Sequence, residues 1–211
     1  VGESGCGKST LLRTILGLDA AQSGEVRVFG ETFPAQRKAD MRRLRQRLQV
    51  VFQDPFGSFD PRWRVRELVA ENFYLLDAPL TRAQATRRID AMLEQVGLKP
   101  SDAFRYPHEF SGGQRQRLAI ARALITEPAI IALDEAVSAL DVSIQSQILN
   151  LLLELQQEMG LTYLFIAHDL AVVKHMSDRI AVMYLGKIVE LTTAEKIIEQ
   201  PLHPYTQALI S

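Results

Sequence analysis

The first ten residues, Val1-Gly2-Glu3-Ser4-Gly5-Cys6-Gly7-Lys8-Ser9-Thr10, constrain this chain more than any other stretch. Gly2, Gly7, Lys8 and Ser9 fall in the register G-x-x-x-x-G-K-[ST], the spacing of a phosphate-binding loop. Glycines let the backbone turn tightly and bring successive N–H groups up to phosphate oxygens. A helix running from Lys8 to about Leu18 adds the positive end of its dipole. Lys8 then reaches the outer phosphates, and the Ser9 hydroxyl ligates Mg²⁺. Such a loop normally follows a buried strand. The chain has no initiator Met and opens on what reads as the last residue of that strand, so it is read as a fragment, trimmed at its start and its end.

The remaining residues alternate between strand and helix signals. Glu25–Phe29 reads as a short strand closed by Gly30, and Arg37–Arg47 as a basic helix with Met41, Leu44 and Leu48 on one face. With a formal net charge of −1 overall, that basic stretch is read as a solvated face and nucleic acid is not expected as a partner. Val50-Val51-Phe52 is a short buried strand broken at Gln53-Asp54-Pro55. From Val65 to Val96 the period is helical, with Val65, Leu68, Val69, Phe73 and Leu76 in one stripe. A second helix, opened by a Thr81/Gln84 capping box, carries Ile89, Leu93 and Val96 inward and stops at Gly97. Pro100–Phe110 is a connector.

Ser111-Gly112-Gly113-Gln114 opens the next helix, which Pro128 ends. Ala129–Leu133 is continuously apolar, as a parallel strand buried on both faces requires. A long helix follows Asp141, with Ile144, Ile148, Leu151, Leu155 and Met159 in phase and Gly160 at its end. Thr162–Ala167 is another core strand, and Ile180–Tyr184 with Lys187–Leu191 a hairpin around Leu185-Gly186. No apolar run reaches the length of a membrane span. The single cysteine, Cys6, excludes an internal disulfide and a Cys-cluster metal site, and serves as a small filler in the loop.

Alternating strands and helices predict an α/β core with a mainly parallel sheet, and in such sheets ligand groups gather at the carboxyl ends of the strands. Gln53, Asp134-Glu135 and His168 each follow a predicted strand, so they are expected on one rim with the phosphate loop. Asp134 suits a Mg²⁺-nucleotide site, directly or through water. Glu135, one residue on, is placed to orient or deprotonate an attacking water.

The phosphate loop, Gln53, Ser111-Gly112-Gly113-Gln114, Ile130-Ile131-Ala132-Leu133-Asp134-Glu135, Ser138-Ala139-Leu140-Asp141 and His168 occur in an order that resembles the ATP-binding subunits of ABC transporters. Val51-Phe52-Gln53-Asp54-Pro55, Pro107-His108-Glu109-Phe110 and Pro201-Leu202-His203-Pro204-Tyr205-Thr206 are similar to the oligopeptide, dipeptide and nickel importer group. The resemblance implies a P-loop NTPase, RecA-like core with an inserted helical subdomain: one domain with its core at 1–55 and 112–193, the helical subdomain at 56–111 and a helical tail at 194–211. It implies ATP and Mg²⁺ as cofactors, with ATP bound by residues 2–10, Gln53, Ser111, Gly112, Gly113, Gln114, Asp141 and His168. Ser9, Gln53 and Asp134 become the metal site, Glu135 the general base, His168 a γ-phosphate contact, and Asp141 a link between paired sites.

The implied partners are a second ABC ATPase domain packed head to tail, as a homodimer or heterodimer, and transmembrane permease subunits. An external solute-binding protein is implied indirectly. The implied location is peripheral, on the cytoplasmic face of the inner membrane. Two departures stand out. Ala136-Val137 occupies positions that are often Pro-Thr, and the aromatic residue that stacks on adenine falls before Val1. The expected function is ATP hydrolysis energising import of peptides or similar small solutes. The alternative is an accessory ABC ATPase of a non-transport complex, of the carbon–phosphorus lyase type. A P-loop kinase would have no use for Ser111–Gln114.

Overall fold

The computed structural model describes residues 1–34, 38–54 and 57–210. Arg37, where the basic helix is expected to start, the Pro55 break, Phe56 at the head of the expected helical lobe, and Ser211 lie outside them. In chain order the main elements are α1 (Lys8–Ile15), β1 (Val26–Val28), β2 (Glu31–Phe33), α2 (Lys38–Arg47), β3 (Leu48–Val51), α3 (Val65–Ala70), α4 (Arg82–Gln95), α5 (Gly112–Leu124), β4 (Ile130–Asp134), α6 (Val142–Met159), β5 (Thr162–Ile166), α7 (Leu170–Met176), β6 (Arg179–Tyr184), β7 (Lys187–Thr193), α8 (Ala194–Glu199) and α9 (Pro204–Ile210). They fall into two compact units, residues 36–162 and residues 1–35 with 163–211.

In the first of these units β3 runs parallel to β4, Leu48 opposite Ile130 and Val51 opposite Leu133. Ile131, Ala132 and Leu133 are buried, as a strand covered on both faces requires. Leu48, expected on a helix face, instead begins β3. α5 packs its Leu118, Ile120, Ala121 and Leu124 into the same interior. α4 is opened by the expected capping box: Gln84 N–H donates to Thr81 Oγ1 at 3.3 Å, and Thr81 N–H to Gln84 Oε1 at 2.9 Å. It closes on Gly97 at φ 75°, with Leu98 N–H donating to Leu93 O at 2.8 Å. Pro100–Phe110 is more ordered than a connector: two short 3₁₀ turns, Pro100–Phe104 and Pro107–Glu109, are held by Arg105, which reaches Asp102 Oδ1 (3.0 Å) and Glu109 O (2.7 Å). α6 is capped by Asp141 and stopped by Gly160 at φ 64°.

In the other unit β6 and β7 form the expected antiparallel hairpin, with Leu185 (φ 46°) and Gly186 (φ 79°) turning it. Ile180 and Val182 join Leu170, Val173 and Ile197 in a core against which Val1, Phe165, Tyr205 and Ile210 pack. Two elements go beyond the sequence expectations. β1 closes at the expected turn, through Phe29 and Gly30, and β2 then runs back beside it, Val26 opposite Phe33. Phe33 is buried and fills the space at Gly17, where a Cβ would come within 2.8 Å of its ring. α7 is the other, capped by Asp169, whose Oδ1 accepts from Ala171 N–H at 2.8 Å. Among the described residues no helix is long and apolar enough to cross a membrane.

Candidate functional site

The phosphate-binding loop takes its shape from its glycines and from the β6–β7 hairpin beside it. Val1 lies along β6, its carbonyl accepting from Met183 N–H at 2.8 Å, and Cys6 O accepts from Gly186 N–H at 2.9 Å. A Cβ on Gly2 would run into the Met183 carbonyl oxygen, a backbone atom that cannot step aside. Gly5 and Gly7 adopt φ 79° and 103°, the left-handed region in which consecutive N–H groups turn toward one concave side. Cys6 is buried, as a filler should be. Gly7 caps α1 and brings no side chain of its own to the helix start, whose first turn holds no acidic residue. The Lys8 side chain folds back over the loop: Nζ donates to Gly2 O at 2.7 Å and to Glu3 O at 2.9 Å, and the residue is 7% exposed. Glu3, Ser4, Gly5, Ser9 and Thr10 line the exposed side. In the same unit His168 is exposed in the bend between β5 and α7.

The other unit gathers a second set. Asp134 ends β4 and is half-buried, and Glu135 follows at φ 49°, a left-handed conformation that non-glycine residues seldom hold. Ala136 and Val137 are both buried, so the small and aliphatic side chains at this departure from the usual Pro-Thr are packed inward. Ser138 turns the chain back, its N–H and its Oγ both donating to Glu135 O, at 3.1 and 2.9 Å. Gln53 Nε2 in turn donates to Ser138 Oγ at 3.3 Å. Gln53 is thus wired through Ser138 to the main chain of Glu135, and Ser138 entered the sequence reading only as part of a family motif. Its signal was its place at i+3 from Glu135, where a hydroxyl closes a turn.

Ser111 caps α5 and is closed on itself: Gln114 N–H donates to Ser111 Oγ at 3.4 Å, and Ser111 N–H to Gln114 Oε1 at 3.0 Å. Gly113 lets the neighbouring helix approach, since a Cβ there would stand 2.5 Å from Ile144 Cγ2. Ile144 belongs to the first turn of α6, where its N–H donates to Asp141 Oδ1 at 3.0 Å. Ser111–Gln114 and Asp141 therefore sit on adjoining helix starts. Arg122, on α5, holds the segment after Gln53: its guanidinium donates to Ser58 O at 3.0 Å and Ser58 Oγ at 2.9 Å and lies over the Phe59 ring. Burial pulls its pKa down from the ordinary guanidinium value.

The profile of the ABC transporter family matches residues 1–138. Over all 211 residues the chain is 54% identical to the Oligopeptide transport ATP-binding protein OppF of Salmonella typhimurium, and it spans 63% of that protein's length. Among solved structures, cbiO1 from Clostridium perfringens, part of the ABC transporter complex cbiONQ, matches with a TM-score of 0.83 at 28% identity, over 95% of this chain and 78% of that one. A dimeric post-hydrolysis state of the ATP-binding cassette MJ0796, bound to ADP and Pi, matches with a TM-score of 0.80 at 30% identity, over 92% of this chain and 83% of that one.

Proposed function

The chain belongs to the ABC transporter family, with the α/β P-loop NTPase fold of its cassettes, and from that premise we propose that it binds ATP and hydrolyses it to energise an importer of peptides or similar small solutes. One observation carries the reading. Lys8, nearly buried, is held by two main-chain carbonyls at the mouth of a glycine loop whose helix start carries no side-chain cap. That is a cation held at the positive end of a helix, the arrangement that receives a polyphosphate.

Residues 2–10 hold the phosphates, and Lys8, anchored on the Gly2 and Glu3 carbonyls, brings its ammonium charge to the phosphate oxygens from there. The hydroxyl of Ser9, the carboxylate of Asp134 and the amide oxygen of Gln53 are hard oxygen donors that fit Mg²⁺. If these residues hold it, Mg²⁺ would supply positive charge against the transferred phosphoryl group. Glu135 takes the proton of the attacking water, and His168 contacts the γ-phosphate. The Gln53–Ser138–Glu135 wire lets the loop bearing Gln53 sense the residue that does the chemistry. Ser111, Gly112, Gly113 and Gln114 serve the nucleotide of a second ABC ATPase domain, identical or homologous, and Asp141 communicates across that pair. The dimeric neighbour with ADP and Pi supports this pairing.

The 211 residues act as one ATPase domain, with 56–111 as the helical lobe facing permease subunits and the protein peripheral on the cytoplasmic face of the membrane. An external solute-binding protein delivers the cargo. The relative's name supports peptides as the solute class. Glu135→Gln in the intact protein is expected to abolish turnover while ATP-bound dimers accumulate; full ATPase activity in that variant would remove Glu135 as base. Co-purification with a permease is expected, and a soluble complex without one would sink the transport role.

A further inference from the structure

The stretch Pro201-Leu202-His203-Pro204-Tyr205-Thr206 has no part in the function just described, yet it is fastened into the unit that holds the phosphate loop. Glu190 on β7, buried, accepts from Leu202 N–H at 3.1 Å and His203 N–H at 3.0 Å. His203 Nδ1 accepts from Tyr205 N–H at 3.1 Å, which fixes the entry into α9. The Tyr205 ring then lies tilted on Tyr184, centroids 4.3 Å apart. Its hydroxyl accepts from Glu3 N–H at 2.9 Å. That N–H belongs to the Gly2–Glu3 peptide unit, the same unit whose carbonyl accepts from Lys8 Nζ at 2.7 Å. One peptide plane is therefore pinned at both ends, by Lys8 at its oxygen and by Tyr205 at its nitrogen.

We propose that Tyr205 is a positioning residue of the nucleotide site, holding the Gly2–Glu3 peptide in the orientation that keeps Lys8 over the phosphate loop. This rests on the reading of residues 2–10 as a phosphate site. Gly2 has no Cβ, so the peptide that follows it meets little local resistance to rotation. Two hydrogen bonds at opposite ends of the plane remove that freedom. Without the tyrosine hydroxyl the plane can swing, and Lys8 loses a fixed partner at the position from which it meets the phosphates. A misplaced carbonyl would also turn its negative end toward an incoming anion, opposing the donors of the loop. Tyr205 touches no reacting atom, so its effect falls on affinity and not on the chemical step.

Tyr205→Phe in the intact protein removes the hydroxyl and keeps the ring on Tyr184. The dissociation constant for MgATP is expected to rise about 2–10-fold, the worth of one neutral hydrogen bond. At saturating ATP kcat is expected to stay unchanged, as is the melting temperature, while the Glu3 amide exchanges its proton faster. Tyr205→Ala should weaken binding further and lower the melting temperature as well. An unchanged dissociation constant in Tyr205→Phe, beside a wild type that binds, overturns the proposal. So does a fall in kcat at constant affinity, which would place the effect of Tyr205 on the chemical step. A wild type that fails to bind MgATP removes the phosphate-site reading and this inference with it, and unchanged Glu3 exchange in Tyr205→Phe overturns the tether alone.

Discussion

Two helix starts in this molecule are proposed to meet phosphate, and they are built on opposite plans. α1 begins at Gly7, an N-cap with no side chain to bond the helix start. α5 begins at Ser111, and Ser111 and Gln114 satisfy each other's main-chain N–H groups. The first is held from outside, by the β6–β7 hairpin and by Tyr205. The second is held from inside: Gln114 N–H is spent on Ser111 Oγ at 3.4 Å and Ser111 N–H on Gln114 Oε1 at 3.0 Å, while the serine hydroxyl keeps its own proton to donate. The difference teaches which half of a shared site is ready in a single chain. The phosphate loop is expected to take ATP in a single chain, whereas the Ser111–Gln114 end should engage only when a partner's nucleotide offers the Ser111 N–H a better acceptor than Gln114 Oε1.

The largest effect is expected from Gly2→Ala. The new methyl meets backbone at Met183, so the loop cannot keep its path, and a loss of about 3 kcal/mol or more is expected along with ATP binding. A thermal melt and a nucleotide titration check it, and wild-type affinity in that variant would break the claim that the loop's shape comes from outside. Gly113→Ala tests the other start. Its methyl meets a side-chain carbon of Ile144, which can yield, so about 1–3 kcal/mol is expected. ATP affinity of the separate chain should be kept while dimer-dependent turnover falls.

Ser111→Ala removes a cap at a cost of about 1 kcal/mol. Monomer binding should be untouched and turnover at saturating ATP reduced; weakened monomer binding would erase the distinction between the two ends.

The smallest effect is a pH dependence confined to the phosphate-loop side. Burial pushes the Glu190 carboxyl up, but the Thr206 hydroxyl, the N–H groups of His203 and Leu202 and the charge of His203 outweigh it and hold it below its ordinary 4.5. A depressed carboxylate stabilises the fold above 4.5, and that contribution is lost as pH falls through the lower folded value. Below pH 4.5 the Leu202–Tyr205 segment should loosen first, read as faster amide exchange at Leu202 and His203 and then at Glu3, with Ser111 and Gln114 unaffected. Glu190→Gln should flatten that response.

The elements that a local pattern specifies were legible in the sequence. The run Ala129–Leu133 could only be an interior strand, the Thr81/Gln84 box announced α4, and Leu185-Gly186 announced a hairpin. Local pattern failed where the deciding contact is remote or the element is short. β2 has three residues and depends on pairing with β1 and on Phe33 filling the space at Gly17. α7 has seven, and Asp169 with Leu170, Val173 and Met176 at every third position was its available signal. Within the site, the residue types and the separate motifs were readable. The Gln53–Ser138–Glu135 wire and the Tyr205–Glu3 bond were not, because they join positions 85 and 202 residues apart.

The backbone of Glu135 has a further consequence for anyone evolving this protein. At φ 49° a glycine or asparagine would sit at lower energy than glutamate, by about 1 kcal/mol. A selection for thermal robustness alone should therefore drift to Glu135→Gly, and a selection for turnover should reverse it. If Glu135 is the base as proposed, a library scored on both axes should show a trade-off at position 135.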